Sequence, residues 1–198
     1  MIPYGTFTFF LIAFIVLIPV IVLGFLGKRS YIYNGISTAI MIVLIFSSDK
    51  HNLLGQKYLS VQLLSFIIYV IWQVALIMVY YKSRQKNNTF TKFTTVMVLS
   101  ILPLAIVKIL QSSWLGGHQI HFHESKLIEF VGFLGISYVT FKSVQLIMEI
   151  RDGSIKEIKV WKLIQFISFF PTISSGPIDR YKRYVKDDKK VPTSGEYR

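Results

Sequence analysis

The sequence predicts an all-α polytopic membrane protein, with about five transmembrane helices, a re-entrant or interfacial segment and a cytoplasmic surface helix. Three observations carry that expectation. Apolar residues make up 53% of the 198 and the mean hydropathy is +0.52, both beyond an ordinary soluble domain. Several apolar runs are long enough to cross a bilayer. The charges, 22 basic against 10 acidic, gather in the short links between those runs. That distribution sets topology and contacts anionic headgroups; it is not the basic face of a soluble nucleic-acid binder, so nucleic acid is excluded as a partner. The chain has no cysteine, so no disulfide staples it. The first apolar run has no basic stretch before it and Gly27-Lys28-Arg29 after it, which does not fit a cleavable signal peptide.

Taken in order, residues 6–26 form an uncharged run that can cross a hydrocarbon core of about 30 Å, with Pro19 expected to kink it. Lys28 and Arg29 follow at once, which puts that end inside and the N-terminus outside. Residues 31–46 are a shorter span that needs thinning of the bilayer or neighbours at its ends. Residues 58–81 are the third span, with Tyr58, Tyr80 and Tyr81 as interfacial aromatics. The next link, residues 82–92, carries Lys82, Arg84, Lys86 and Lys92 and no acid, and is expected in the cytoplasm. Residues 93–110 form the fourth span, with Pro103 inside and Lys108 able to snorkel. Residues 127–150 form the fifth, followed by Arg151, Lys156, Lys159 and Lys162. The expected inner links hold 2, 4 and 4 basic residues and the outer ones 2 and 1, so the positive-inside rule sets the orientation.

Residues 160–170 are too short to cross alone and lead into Phe169-Phe170-Pro171-Thr172-Ile173-Ser174-Ser175-Gly176-Pro177-Ile178-Asp179-Arg180-Tyr181. Pro171 and Pro177 break any helix, and the backbone groups they free need protein or water as partners. A re-entrant or interfacial bend over residues 160–180 is expected, followed by a basic surface segment over residues 180–198. No internal repeat divides the chain, and residues 1–198 read as the N-terminal part of a single membrane domain.

Ionisable residues within a span usually face protein or a water-filled path. Tyr138, Lys142 and Glu149 share one face of the fifth span by helical spacing, and Glu129 lies near its start. They are read either as the polar lining of a tunnel or as structural groups, through an ion pair or snorkelling. Gly135 and Ser137 would allow close helix packing. Asp179 and Arg180 are placed to cap and charge the start of the surface helix. His118, His121 and His123 have spacing that can hold a metal, but their link has no cysteine and no metal is expected there. His51 stands alone.

The motif from Phe169 to Arg180, in particular Pro171, Ser175, Gly176, Pro177, Asp179 and Arg180, resembles a signature of the membrane-bound O-acyltransferase family. The run Gly135-Ile136-Ser137-Tyr138-Val139-Thr140-Phe141-Lys142 adds to the likeness, which extends over the whole chain and covers only the N-terminal half of such a protein. Among the members, the likeness is to those that transfer D-alanine in teichoic acid modification. The resemblance implies a partial O-acyltransferase fold and transfer of a D-alanyl group from the phosphopantetheine thioester of a carrier protein in the cytoplasm. No bound cofactor is implied. The acceptor would be lipoteichoic acid outside, and a further membrane protein would take part. In that family a hydroxyl attacks the thioester carbonyl with a buried histidine as general base. No histidine here matches that position, so no catalytic residue is expected in this chain; it would lie beyond Arg198, and residues 1–198 alone would be inactive. Asp179, Arg180 and the basic segment would face the acidic carrier or anionic lipid. An alginate-type O-acetyltransferase is the nearest alternative within the family. A transport subunit and a noncatalytic scaffold are alternatives outside it.

Overall fold

The computed structural model describes residues 5, 7–26, 31–46, 59–87, 89–111, 135–173 and 179–189. All the regular elements among them are helical: α1 (Phe7–Phe25), α2 (Tyr31–Phe46), α3 (Leu59–Lys86), α4 (Phe90–Gln111), α5 (Ile136–Arg151), α6 (Val160–Ile167), a 3-10 turn (Phe170–Thr172) and α7 (Tyr181–Lys189). Three of these, Phe7–Phe25, Gln62–Lys86 and Phe90–Ile109, are long and apolar enough to cross a membrane, and Ile32–Phe46 is a shorter apolar helix. Large apolar side chains point outward along them, Phe7 at 81% and Phe14 at 62% exposure among others. Water would oppose such a surface, and lipid accepts it. The protein is therefore of the all-α membrane class. Residues 112–134, which include the first part of the expected fifth span, lie outside the described residues.

Helix ends follow local chemistry. The two helices at the N-terminus coincide closely with the expected runs, and Pro19 sits inside α1. The helix α3 runs on through Lys82, Arg84 and Lys86, and α4 starts at Phe90, so most of the expected basic link is helical. Lys, Arg and Gln are good helix formers, and leaving the hydrocarbon does not end a helix. The link shrinks to the neighbourhood of Asn87 and Thr89.

The chain divides into two compact units, Met1–Leu63 with Arg183–Arg198, and Leu64–Lys182. In the first, α1 and α2 pack together: the Tyr33 hydroxyl donates to the Val16 carbonyl at 3.3 Å, and Phe9, Met41, Ile45 and Phe46 are buried. In the second, a buried polar relay joins three helices. The Gln73 amide of α3 donates to the Ser100 carbonyl of α4 at 3.0 Å and to the Tyr69 hydroxyl at 2.8 Å. Tyr69 lies 2.7 Å from Thr140 Oγ1 on α5, whose own proton goes to the Ile136 carbonyl, so Tyr69 is the donor. Ser100 Oγ returns a bond to Gln73 Oε1 at 2.8 Å. Each of these polar groups is matched, as a low-dielectric interior requires.

The Gln73→Leu variant should lower stability by about 2 kcal/mol, because it strands the Ser100 hydroxyl and carbonyl and one lone pair of Tyr69. Thermal unfolding of the purified chain in detergent, followed by circular dichroism, measures it; a midpoint equal to the parent's would mean that the relay does not hold these helices together.

The segment between α5 and α6 is folded back on the end of α3. The Tyr81 hydroxyl donates to the Lys156 carbonyl at 2.9 Å, while Ile155 and Ile158 are buried. The expected re-entrant region is thus a short helix and a 3-10 turn with Leu163, Phe166, Ile167, Phe170 and Ile173 buried. Its stretch from 174 to 178, like the end of the basic segment from 190 to 198, lies outside the described residues.

Candidate functional site

The two sequence runs that were singled out separately, residues 135–142 and the motif beginning at Phe169, are packed against one another. The first contact is made by Gly135, which precedes α5 with φ 90° and ψ 2°. That left-handed conformation suits glycine, and close approach demands it. A Cβ built on Gly135 would stand 2.5 Å from the carbonyl oxygen of Ile173 and 2.6 Å from its side chain.

The second contact is Lys142, two turns along the same helix and only 2% exposed. Helical side chains lean toward the helix N-terminus, so the long lysine stem carries its ammonium back toward the Gly135 end. There it donates to the Phe166 carbonyl at 3.2 Å and to Thr172 Oγ1. The Phe166 carbonyl belongs to the last turn of α6, where backbone acceptors have no partner within the helix. Lys142 supplies that partner and places a cation at the negative end of the helix. Thr172 Oγ1 gives its proton to the Phe169 carbonyl at 3.0 Å, leaving its lone pairs for the lysine. The ammonium also stands 5.5 Å from the centre of the Phe166 ring, and Asp179 interacts with it electrostatically. The Tyr181 ring packs edge-on against Phe166 at 5.4 Å.

The arrangement ties α5 to the end of α6 and to the 3-10 turn. Thr172 and Ile173 are held against α5, by Lys142 and by the close approach at Gly135. Ser175, Gly176 and Pro177 themselves lie outside the described residues. Pro171 is exposed within the 3-10 turn, where its missing N–H leaves no bond unmade. Asp179 is half-buried and its carboxylate accepts the Arg180 N–H at 2.8 Å; Arg180 is exposed, and α7 begins one residue later. The carboxylate therefore sits just outside the helix start.

Tyr138 is half-buried on α5, one turn before Lys142. Glu149 is not joined to Lys142: Gln145 approaches its Oε1 at 3.5 Å, and its Oε2 is buried without a hydrogen-bond partner among the described residues. All four histidines, His51, His118, His121 and His123, lie outside the described residues, as does Glu129. Among the described residues no group of metal-ligating side chains comes together. What sequence reasoning missed is the role of Thr172 and of the Phe166 carbonyl. Only the polar hydroxyl beside Pro171 could have pointed to them.

Comparison with known proteins gives the following. No protein-family profile matches the chain. The chain is 46% identical over all 198 of its residues to the teichoic acid D-alanyltransferase of Bacillus subtilis (strain 168), covering 46% of that protein. It is 43% identical over 98% of its length to the protein of the same name in Lacticaseibacillus rhamnosus, covering 44% of it. A third, from Streptococcus thermophilus, is 32% identical over 98% of the chain, which covers 42% of that relative. The chain thus spans a little under half the length of the curated relatives it matches.

Proposed function

The chain belongs to the DltB-like family of teichoic acid D-alanyltransferases, and on that premise we propose that it is part of the membrane machinery that adds D-alanine to the cell envelope. The observation that carries the proposal is a joint one. A chain matched over its full length by proteins of this name also brings its two singled-out runs together, through Gly135 on Ile173 and Lys142 on Thr172. The acyl donor is a D-alanyl thioester on the phosphopantetheine arm of a carrier protein in the cytoplasm. The acceptor is lipoteichoic acid on the far side, reached with the help of a partner membrane protein. In this reading the N-terminus is outside, the basic links are inside, and the basic segment that starts near Arg180 meets the acidic carrier and anionic lipid.

The role of residues 1–198 is to join the run 135–142 to the start of the motif, through Gly135 on Ile173 and Lys142 on Thr172. The general base for attack of a hydroxyl on the thioester carbonyl is not among them. Such a base needs a neutral imidazole within hydrogen-bond reach of the reacting hydroxyl. His118, His121 and His123 are crowded into a polar link, unlike the apolar helical setting that this role calls for. Residues 1–198 alone are therefore inactive in D-alanyl transfer.

The test uses cells whose own D-alanyltransferase gene is deleted. They are complemented either with this chain or with a full-length relative, and ester-linked D-alanine released from the envelope by mild base is measured. The full-length relative should restore the esters and the 198-residue chain should not. Restoration by the short chain alone would place the catalytic base among His51, His118, His121 and His123 or in a partner, and would refute the assignment of a purely positioning role.

A further inference from the structure

At the far end of α3 from the polar relay, buried hydrogen-bond donors meet exposed apolar surface. Tyr80 is 2% exposed and its hydroxyl has no hydrogen-bond partner among the described residues. Four residues on, Arg84 Nε is likewise buried without an acceptor. Residues four apart share one face of a helix. Arg151, the last residue of α5, closes the group: its guanidinium lies 4.3 Å from the centre of the Phe93 ring, which in turn stands 6.3 Å from the ring of Tyr80. The charges of Arg84 and Arg151 act on the Tyr80 hydroxyl, opposed by the weaker effect of the exposed Asp152 carboxylate. Neither guanidinium has a carboxylate within ion-pair distance among the described residues.

Arg84 does have a neighbour, the turn at Gly153. That glycine has φ +74°, and a Cβ on it would come within 2.9 Å of an Arg84 terminal nitrogen. Capping the end of α5 does not account for the arginine. The carbonyls of Met148, Glu149 and Ile150 already accept the N–H groups of Asp152, Ser154 and Gly153 at 3.0 to 3.1 Å. The turn gives Arg84 room without giving its Nε an acceptor. An oxygen-rich anion would offer the acceptors that these donors can use.

Apolar surface beside the group says which kind. Val79 is 63% exposed, and Phe90, whose ring also faces Arg151 at 5.6 Å, is 68% exposed. A soluble phosphate would use only the donors. A phospholipid would use both, with headgroup oxygens on Tyr80 and the arginines and acyl chains along Val79 and Phe90.

We propose that Tyr80, Arg84 and Arg151 form a headgroup site for an anionic phospholipid, bound where α3 and α5 end and α4 begins. The Tyr80 O–H and Arg84 Nε–H donate to phosphate oxygens, and Arg151 contributes charge from the rim.

Native mass spectrometry of the whole detergent-solubilised chain, offered equal amounts of dioleoylphosphatidylglycerol and dioleoylphosphatidylcholine, tests it. The anionic lipid should be retained in preference. Arg84→Gln and Arg151→Gln should each cut its occupancy about fivefold, and Tyr80→Phe about threefold. Arg84→Lys and Arg151→Lys should keep most of it, and Lys82→Gln, on an exposed residue of the same turn, should stay within about twofold of the parent. Equal binding of the two lipids would overturn the proposal, as would unchanged occupancy in the glutamine variants and in Tyr80→Phe. Displacement of the lipid by excess inorganic phosphate would also overturn it, by showing a site for the free anion. Circular dichroism checks that each variant is folded. If an arginine variant is not, Tyr80→Phe decides the matter, since it removes one oxygen and no packing.

Discussion

Lys142→Met in a full-length relative carrying this segment should reduce envelope D-alanyl esters at least about tenfold, while lowering the stability of the segment by only about 1–2 kcal/mol. The two numbers differ for a physical reason. Losing the ammonium leaves the Phe166 carbonyl and Thr172 Oγ1 without their donor, at about 1–3 kcal/mol each. Against that, a lysine that is 2% exposed carries a large desolvation cost, and methionine removes it. The balance is a modest loss. Position is another matter, because the same ammonium holds the end of α6 and the 3-10 turn in one place. A displacement of about 1 Å at a reacting group is enough to cost about a hundredfold in rate. Thr172→Val removes one acceptor and should have a smaller effect in the same direction. The double variant should be no worse than Lys142→Met alone, since both remove the same bond. Additive losses, or wild-type ester levels in Lys142→Met, would show that the lysine does not anchor the motif.

Gly135→Ala should destabilise the chain by about 3 kcal/mol. One part is conformational: φ 90° is costly for any residue with a Cβ. The larger part is steric, because the new methyl would stand 2.5 Å from a backbone oxygen, which cannot rotate away as the tip of a side chain can. The companion variant tells the two neighbours apart. Ile173→Ala removes the side-chain atom 2.6 Å away and leaves the carbonyl where it was, so Gly135→Ala with Ile173→Ala should not recover the loss. Thermal unfolding of each variant in detergent provides the comparison. Recovery in the double variant would place the clash on the side chain, and a loss below about 1 kcal/mol in Gly135→Ala would mean that the turn moves aside freely.

The helices were legible because what forms them is local. A run such as Phe7–Phe25 has no charge, and in lipid its backbone can satisfy itself only as a helix. The same rule misplaced the ends of α3 and α4, since charge marks where hydrocarbon stops and not where a helix stops. Lys82, Arg84 and Lys86 are helical although polar. The candidate site was legible in part. Lys142 stood out as an ionisable residue in an apolar setting, and Pro171 as a helix breaker. Their meeting did not. Helical spacing suggested Glu149 as the companion of Lys142, but spacing sees one helix at a time, and the partners of Lys142 lie 24 and 30 positions away.

By itself, then, the sequence determined the membrane class, the approximate helices and the residues whose chemistry is out of place in lipid, because those follow from the free energy of single segments in water and in hydrocarbon. Which donor meets which acceptor was decided by tertiary structure alone. Lys142 reaches Thr172, Tyr69 reaches Thr140 across 71 positions, and Gly135 lets Ile173 approach, because packing brings distant backbone and side-chain groups within bonding distance. A buried polar group must be satisfied wherever the fold provides a partner, and a linear pattern shows the need without showing the partner.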